Sequence, residues 1–316
     1  MRKTCLDCVY KLAKEDPRIV FIGSDLSPGL LSGMQKEMPE RWYMEGIMEQ
    51  NVVGMAAGMA LEGFIPYANT IATFFTRRSY EQVAIDLCLH NLPVRLISNG
   101  GGLVYAPLGP THLAIEDLAT MRALPNMTVV AVCDADEMTR FMDVSVDWPG
   151  PIYIRLAKGG DPIVSKAENG FAIGKAIVMR RAGAHRPVVF MTTGVMTTNA
   201  LKAADALKSD GVDSSVVHFH TVKPLDKSAI LEHAKDARLV VTVEEGIAIG
   251  GFGSAVTDIL VEEMGPAMPR MKRIALPDAF SKNYGVQNDL FDVYGLTPRQ
   301  IAATVHNTLD QYKLVA

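Results

Sequence analysis

The chain has 316 residues, enough for about two domains, and its 31 Lys and Arg against 35 Asp and Glu leave a formal charge of −4. That acidic balance argues against a nucleic-acid binder. A hydrophobic fraction of 48% with 21% charged residues fits a well-buried globular protein and excludes disorder. The first element expected is an amphipathic helix over residues 4–14. Asp7, Lys11 and Lys14 interrupt any signal-peptide core behind Met1-Arg2-Lys3, so the expected compartment is cytoplasmic. Cys5 and Cys8 form a CxxC in this helix. With four cysteines in the chain and no second CxxC or CxxC…His set, they read as ordinary small helix residues.

Apolar strands bounded by turns follow at 19–23, 65–68, 94–98, 128–132 and 152–156, alternating with helical stretches at 49–62, 77–90, 112–122 and 135–146. This alternation implies a parallel sheet covered on both faces. The most lipid-like stretch, 50–76, has an uninterrupted apolar part of only 52–61. A membrane span needs about 20 residues, so a buried helix followed by a buried strand is expected, with no membrane partner. The polar segment 161–183, with Gly170, Gly174 and Gly183, reads as a linker with some strand content. Alternation then restarts: strands at 188–192, 214–218, 239–244 and 271–275, helices at 198–208, 227–234, 253–262 and 297–311. The expected fold is α/β: two doubly wound αβα domains with mostly parallel sheets, over 1–165 and 186–316, joined by a linker over 166–185.

Three segments carry candidate chemistry. Glu49 opens an otherwise uncharged helix rich in small residues, Gly54, Ala56, Ala57, Gly58 and Ala60, whose spacing lets another helix approach closely. A carboxylate beside such a dry interface should be desolvated, which favours its protonated form and suits proton exchange with a bound group. On spacing alone, a helix-capping Glu stabilised by the helix dipole is the simpler reading. The second segment, Ala72 to Gln82, puts Phe74, Phe75, Arg77 and Arg78 at a strand-to-helix junction. Ligands bind at strand C-terminal ends in open α/β sheets, and an aromatic there can stack on a heteroaromatic ring; one of the two phenylalanines is expected in the core. The third is a long Gly- and Pro-rich loop from Asn99, ending in His112 at the expected start of a helix. Loops of this kind carry function more often than stability, and His112 can donate to a substrate oxygen or shuttle a proton.

Together these segments resemble the transketolase family. The motif Gly46-Ile47-Met48-Glu49-Gln50-Asn51 is similar to its catalytic-glutamate motif, Gly109-Pro110-Thr111-His112 to its Gly-Pro-Thr-His loop, and Gly23-Ser24-Asp25-Leu26-Ser27-Pro28 to its Gly-Ser-Ala-Asp-Leu element with the Ala missing. Ile154-Arg155-Leu156 resembles its substrate-phosphate arginine strand. His220-Thr221-Val222-Lys223-Pro224-Leu225-Asp226, and Glu244-Glu245 followed by Gly250-Gly251-Phe252-Gly253-Ser254, resemble its C-terminal domain. The resemblance covers essentially the whole chain. It makes 1–165 a thiamine-diphosphate pyrimidine-binding domain and 186–316 a transketolase C-terminal domain.

The resemblance implies that Glu49 hydrogen-bonds the aminopyrimidine ring of thiamine diphosphate, that Phe74 or Phe75 stacks on it, and that Asp25, Leu26 and Arg77 border the cofactor. His112 and Arg155 would face the substrate. The family's Gly-Asp-Gly and Asn-Asn elements, which hold the diphosphate and Mg²⁺, are missing from this sequence. The chain therefore resembles the C-terminal subunit of a split transketolase. Its partner would be an N-terminal subunit holding Mg²⁺, its own copies would associate across the pyrimidine-domain interface, and two of each would make a heterotetramer acting on sugar phosphates. Leu108 stands where the family usually has an acidic residue, and Gly100-Gly101-Gly102 where a His is usual. Two competing activities share the build: the beta subunit of a 2-oxo-acid dehydrogenase decarboxylating component, and a deoxyxylulose-phosphate-synthase-like activity. A non-enzymatic scaffold subunit is a third alternative.

Overall fold

The computed structural model describes residues 1–26, 28–183 and 185–313. Ser27 of the Gly23–Pro28 element, Ala184 of the linker and the last three residues lie outside it. Twelve strands occur among the described residues: β1 (Ile19–Gly23), β2 (Trp42–Met44), β3 (Ile65–Ile71), β4 (Arg95–Asn99), β5 (Thr128–Ala131), β6 (Ile152–Leu156), β7 (Ile177–Arg180), β8 (Val188–Thr192), β9 (Ser214–His218), β10 (Thr221–Lys223), β11 (Leu239–Ile247) and β12 (Met271–Leu276). They form two sheets, in the orders β10-β5-β6-β4-β3-β1-β2 and β12-β11-β8-β9-β7. Every pairing is parallel except β10 with β5 and β7 with β9, at two sheet edges.

The parallel strands are buried along their length because helices cover both faces, which is why they read as continuous apolar runs. The chain leaves β1 toward β2 and returns past it to β3, so the C-terminal ends of β1 and β3 flank a reversal of strand order. Crevices at such points take ligands in open α/β sheets. The helix Glu49–Leu61 runs back along the sheet into β3. It stops at Gly63, whose φ of +92° places it in the left-handed region that ends helices.

The strand content expected of the linker is β7, an antiparallel edge of the second sheet. Four features depart from the sequence expectations. β2 lies where no strand was expected. β10 was not anticipated: it belongs to the second half by sequence, yet it completes the first sheet, with Thr221 opposite Val130 and Lys223 opposite Val129. The expected regular helix over 77–90 contains wide π-helical turns at Phe74–Arg78 and Val83–Leu89. The helix expected from His112 begins only at Asp117. One apolar cluster runs from Val52 and Ala56 through Leu118 and Met121 to Val217, Phe219 and Phe252, so the two halves share a core.

Candidate active site

Glu49 sits at the first position of its helix, at the C-terminal end of the first sheet, and its side chain is 1% exposed. Its Oε1 accepts from the Thr70 hydroxyl at 3.2 Å and its Oε2 from Arg78 Nη1 at 3.2 Å. The Thr70 oxygen in turn accepts from Ser24 Oγ at 2.9 Å. Ser24 follows β1 directly and Thr70 lies near the end of β3, so the strand-order reversal brings all three together. The expectation of a desolvated Glu is met by geometry, but not in isolation: Arg78, 44% exposed, lies against it. A cation beside a buried carboxylate offsets part of the cost of removing it from water.

Behind this carboxylate the strand ends carry buried amides. Asn99 Nδ2 donates to Asn69 Oδ1 at 2.6 Å and to the Thr70 carbonyl at 2.9 Å, and Asn69 Nδ2 reaches the Leu26 carbonyl at 3.4 Å. Among the described residues, Asn99 Oδ1 and Thr73 Oγ1 are buried without a hydrogen-bond partner. Buried polar atoms are normally satisfied, so such atoms beside a crevice are suited to a ligand. Asp25 is exposed and Leu26 half-buried at the rim.

The two phenylalanines separate cleanly. Phe75 is fully buried in the shared core. Phe74 is half-buried, with the Arg78 guanidinium 3.9 Å from its ring centroid and the His112 ring 5.4 Å away edge-on. His112 also lies 6.5 Å from the Tyr105 ring, and its Nδ1 is 2.9 Å from Thr111 Oγ1. Burial, with Arg78 and Arg77 nearby, pushes the His112 imidazole below its ordinary value, which keeps it neutral near pH 7.

Arg77 has a different place from that expected of a cofactor ligand. Its Nε and Nη2 grip Glu116 at 2.5 and 3.0 Å, and its remaining N–H groups donate to the carbonyls of Pro110, Thr111 and Leu113. All five donors are thus committed within residues 110–116, two of them to the Gly-Pro-Thr-His loop itself. The same contacts explain why His112 does not start a helix. The carbonyls that would propagate one turn toward Arg77 instead, after a reversal at Gly109 with φ +75°.

Arg155 is likewise not free to face a substrate. It is 6% exposed and forms a two-point pair with the fully buried Asp117, Nε to Oδ2 at 2.7 Å and Nη2 to Oδ1 at 3.0 Å. Its Nη2 also donates to the carbonyls of Ala114 at 3.1 Å and Glu245 at 2.7 Å. The reason is its position: β6 lies at the seam between the halves, and its side chain is sealed under the Gly100–Gly102 run. A Cβ on Gly101 would stand 2.4 Å from the Arg155 side chain, and one on Gly102 2.3 Å from that of Glu245. Gly101 and Gly102 are what these two close approaches require, and Gly100 makes room in the same way for the Tyr105 ring. Leu108 is about half exposed at the loop's surface.

The sequence reading missed Thr70 and Arg78 as partners of Glu49, and Asp117 and Glu245 as partners of Arg155. A Thr inside an apolar strand and a second Arg beside Arg77 were visible, but their neighbours are set by the sheet order.

Two family models divide the chain: the transketolase pyrimidine-binding domain over residues 1–160 and the transketolase C-terminal domain over 174–301. A transketolase family protein of Sinorhizobium fredii is 37% identical over 305 residues, covering 95% of this chain and 86% of its own length. A 6-deoxy-6-sulfo-D-fructose transketolase subunit of a Clostridium species is 32% identical over 98% of this chain and 95% of that one. The 1-deoxy-D-xylulose-5-phosphate synthase 1 of Geobacter sulfurreducens is 37% identical over 94% of this chain, which spans only 46% of that enzyme. Among solved structures, a split-gene transketolase described as an inactive beta4 tetramer superposes with a TM-score of 0.88 at 35% identity, covering 98% of both chains. Among the described residues no helix is long and apolar enough to cross a membrane. With two family models spanning most of its length and relatives above 30% identity aligned end to end, the chain belongs to the transketolase family, a group of transferases, as its pyrimidine-binding and C-terminal domains.

Proposed function

We propose that this chain is the C-terminal subunit of a split, thiamine-diphosphate-dependent transketolase that moves a two-carbon ketol unit from a ketose to an aldose. The observation that carries the reading is the buried Glu49 carboxylate at the strand-order reversal, hydrogen-bonded by Thr70 and Arg78, with the Arg78 guanidinium in turn lying over the Phe74 ring. An acceptor carboxylate, an unpartnered amide oxygen on Asn99 and a half-exposed phenyl ring fit a flat, donor-bearing heteroaromatic ring such as an aminopyrimidine. When bound, thiamine diphosphate supplies the stabilisation of the carbanion on which ketol transfer depends. The residues of this chain bind and orient around it. Glu49 accepts a hydrogen bond from the ring and holds or releases a proton there, Phe74 stacks, and the neutral His112 donates to a substrate oxygen. Asp25 and Leu26 form the rim.

The sequence lacks Gly-Asp-Gly and Asn-Asn, so the diphosphate and Mg²⁺ are assigned to a separate N-terminal subunit. Association between copies is supported by the outer face of the Glu49–Leu61 helix. Gly54 and Gly58 point outward, with no atom of the described residues within 4 Å of where a Cβ would stand, and Met48 and Leu61 at the two ends of the helix are exposed. Small and apolar residues on an exposed helix face suit close packing against a second helix. The tetramer named for the split-gene neighbour and the subunit named for the Clostridium relative support the same assembly. A cytoplasmic location belongs to this reading.

The substrate class is a ketose carrying an anionic terminus, a phosphate or, as the Clostridium relative's name indicates for that protein, a sulfonate. Likeness to the deoxyxylulose-phosphate synthase supports a second reading, in which pyruvate replaces the ketose. The deciding experiment measures transfer by the assembled complex from a ketose phosphate, from pyruvate plus an aldose phosphate, and from a 2-oxo acid plus a lipoyl acceptor. Light scattering and the same assay on this chain alone complete it: turnover by this chain without a second subunit would sink the split-enzyme reading.

A further inference from the structure

The second half reaches the loop between β4 and the Asp117 helix through the end of β11. Successive residues of a strand face opposite ways, so Glu244 and Glu245 have separate work. Glu244 accepts from the backbone N–H groups of Phe252 and Gly253 at 2.8 and 2.7 Å, at the N-terminus of the helix Phe252–Met264. Glu245 faces the first half. Its Oε1 accepts from the Leu103 backbone N–H at 2.7 Å and from Gln287 Nε2 at 2.7 Å, and its carbonyl accepts from Arg155.

Gln287 opens the helix Gln287–Val293, and the residues before it overlie the same loop. A Cβ on Gly109 would stand 2.5 Å from the Tyr284 ring, and the Phe280 ring lies 5.8 Å from the Arg77 guanidinium. Backbone bonds already anchor the near end of the loop, from the Gly100 and Gly101 N–H groups to the Leu156 carbonyl and from Gly102 N–H to that of Ala114. Two side chains add to them. Arg77 gathers its far end around Pro110–Leu113, and Glu245 fixes its near end at Leu103 while tying it to the overlying segment.

We propose that Glu245 is a positioning residue: its Oε1 registers the 100–112 loop against the 277–286 segment and so sets where His112 stands, without touching the cofactor. The consequence for His112 rests on the ketol-transfer reading above; the loop restraint does not.

Two measurements test it. Hydrogen exchange on this chain alone should show Glu245→Ala speeding exchange across 100–112 by about tenfold or more while the helix 49–61 is unchanged. In the assembled complex, with a ketose phosphate, Glu245→Ala should raise KM by about tenfold or more, because small misplacements of a positioned group are costly. The dissociation constant for thiamine diphosphate should stay within about twofold, since Glu49 and Phe74 lie outside this contact. Glu245→Gln should restore both readouts, because an amide oxygen still accepts from Leu103. Gln287→Ala, at a half-exposed position, should give a smaller change of the same pattern and decides the matter if Glu245→Ala does not fold. Unchanged exchange over 100–112, an equal loss of cofactor affinity, or a KM rise that Glu245→Gln fails to restore would overturn the proposal. If the wild-type complex transfers no ketol unit, the functional reading fails while the exchange result still decides the loop restraint.

Discussion

Two of the arginine–carboxylate pairs near strand ends of the first sheet, Arg155 with Asp117 and Arg78 with Glu49, differ in what surrounds them. Asp117 and Arg155 are sealed at the seam between the halves, joined at two points and satisfied further by two carbonyls. Glu49 is as deeply buried, but its partner Arg78 is well exposed and makes one contact to it. Around Glu49 unpartnered polar atoms and a half-exposed aromatic remain. Burial of a charged pair thus does not separate a closed structural pair from one beside unfilled polar groups; the number of commitments already made does.

Breaking the sealed pair should have the largest effect. Arg155→Met leaves Asp117 buried without its cation and should cost about 3–5 kcal/mol in chemical denaturation. Arg78→Met should cost less, about 1–2 kcal/mol, because Arg78 makes a single contact to Glu49 and the carboxylate keeps its hydrogen bond from Thr70. Equal losses in the two variants would erase the distinction. Next in size, Glu49→Gln should keep the melting temperature of the wild type and lower turnover of the assembled complex by about a hundredfold or more, the scale of a general acid–base contribution. Near wild-type turnover would remove Glu49 from the chemistry. Phe74→Ala should weaken thiamine diphosphate binding by about 1–3 kcal/mol, read by calorimetry on the complex. His112→Ala should instead spare cofactor affinity and depress transfer; the reverse pattern would exchange their roles.

The smallest effect sharpens the seam side of the comparison. His220 is buried against Phe171 with its Nε2 unpartnered, and burial pushes it down to about 3. An unfolded imidazole titrates near about 6.5. Below that pH the unfolded state binds more protons, so stability should fall as pH drops from about 6.5 toward about 3. His220→Phe should flatten this slope in melting curves taken between pH 7 and pH 5; an unchanged slope would assign the acid sensitivity elsewhere.

Much of this was legible in the sequence because parallel, doubly covered strands announce themselves as apolar runs. Nine strands were expected within a few residues of where they lie, β7 only as unspecified strand content of the linker, and the edge strands β2 and β10 were not expected. Those are short or half-exposed, and β10 pairs with a strand about ninety residues earlier, which no local pattern records. At the site, the spacing around Glu49 singled out a carboxylate that the sheet then surrounds with partners. Motif likeness suggested that Arg77 and Arg155 meet ligands. Neither motif could reveal that the acceptors filling their donors come from residues about forty and ninety positions away. Which of Phe74 and Phe75 faces the crevice depends on the π-helical turn, a register that the aromatic pair alone does not specify.

The exchange of β10 into the first sheet bears on how such a chain can be inherited. Severed after residue 165, the first half would lose the strand that covers β5 and would present the unpaired backbone of Val129 and Val130, a template for aggregation. The second half would carry away a three-residue strand with no neighbour. Recombination at the linker would therefore leave an unpaired edge on the first half and a strand without its partner on the second.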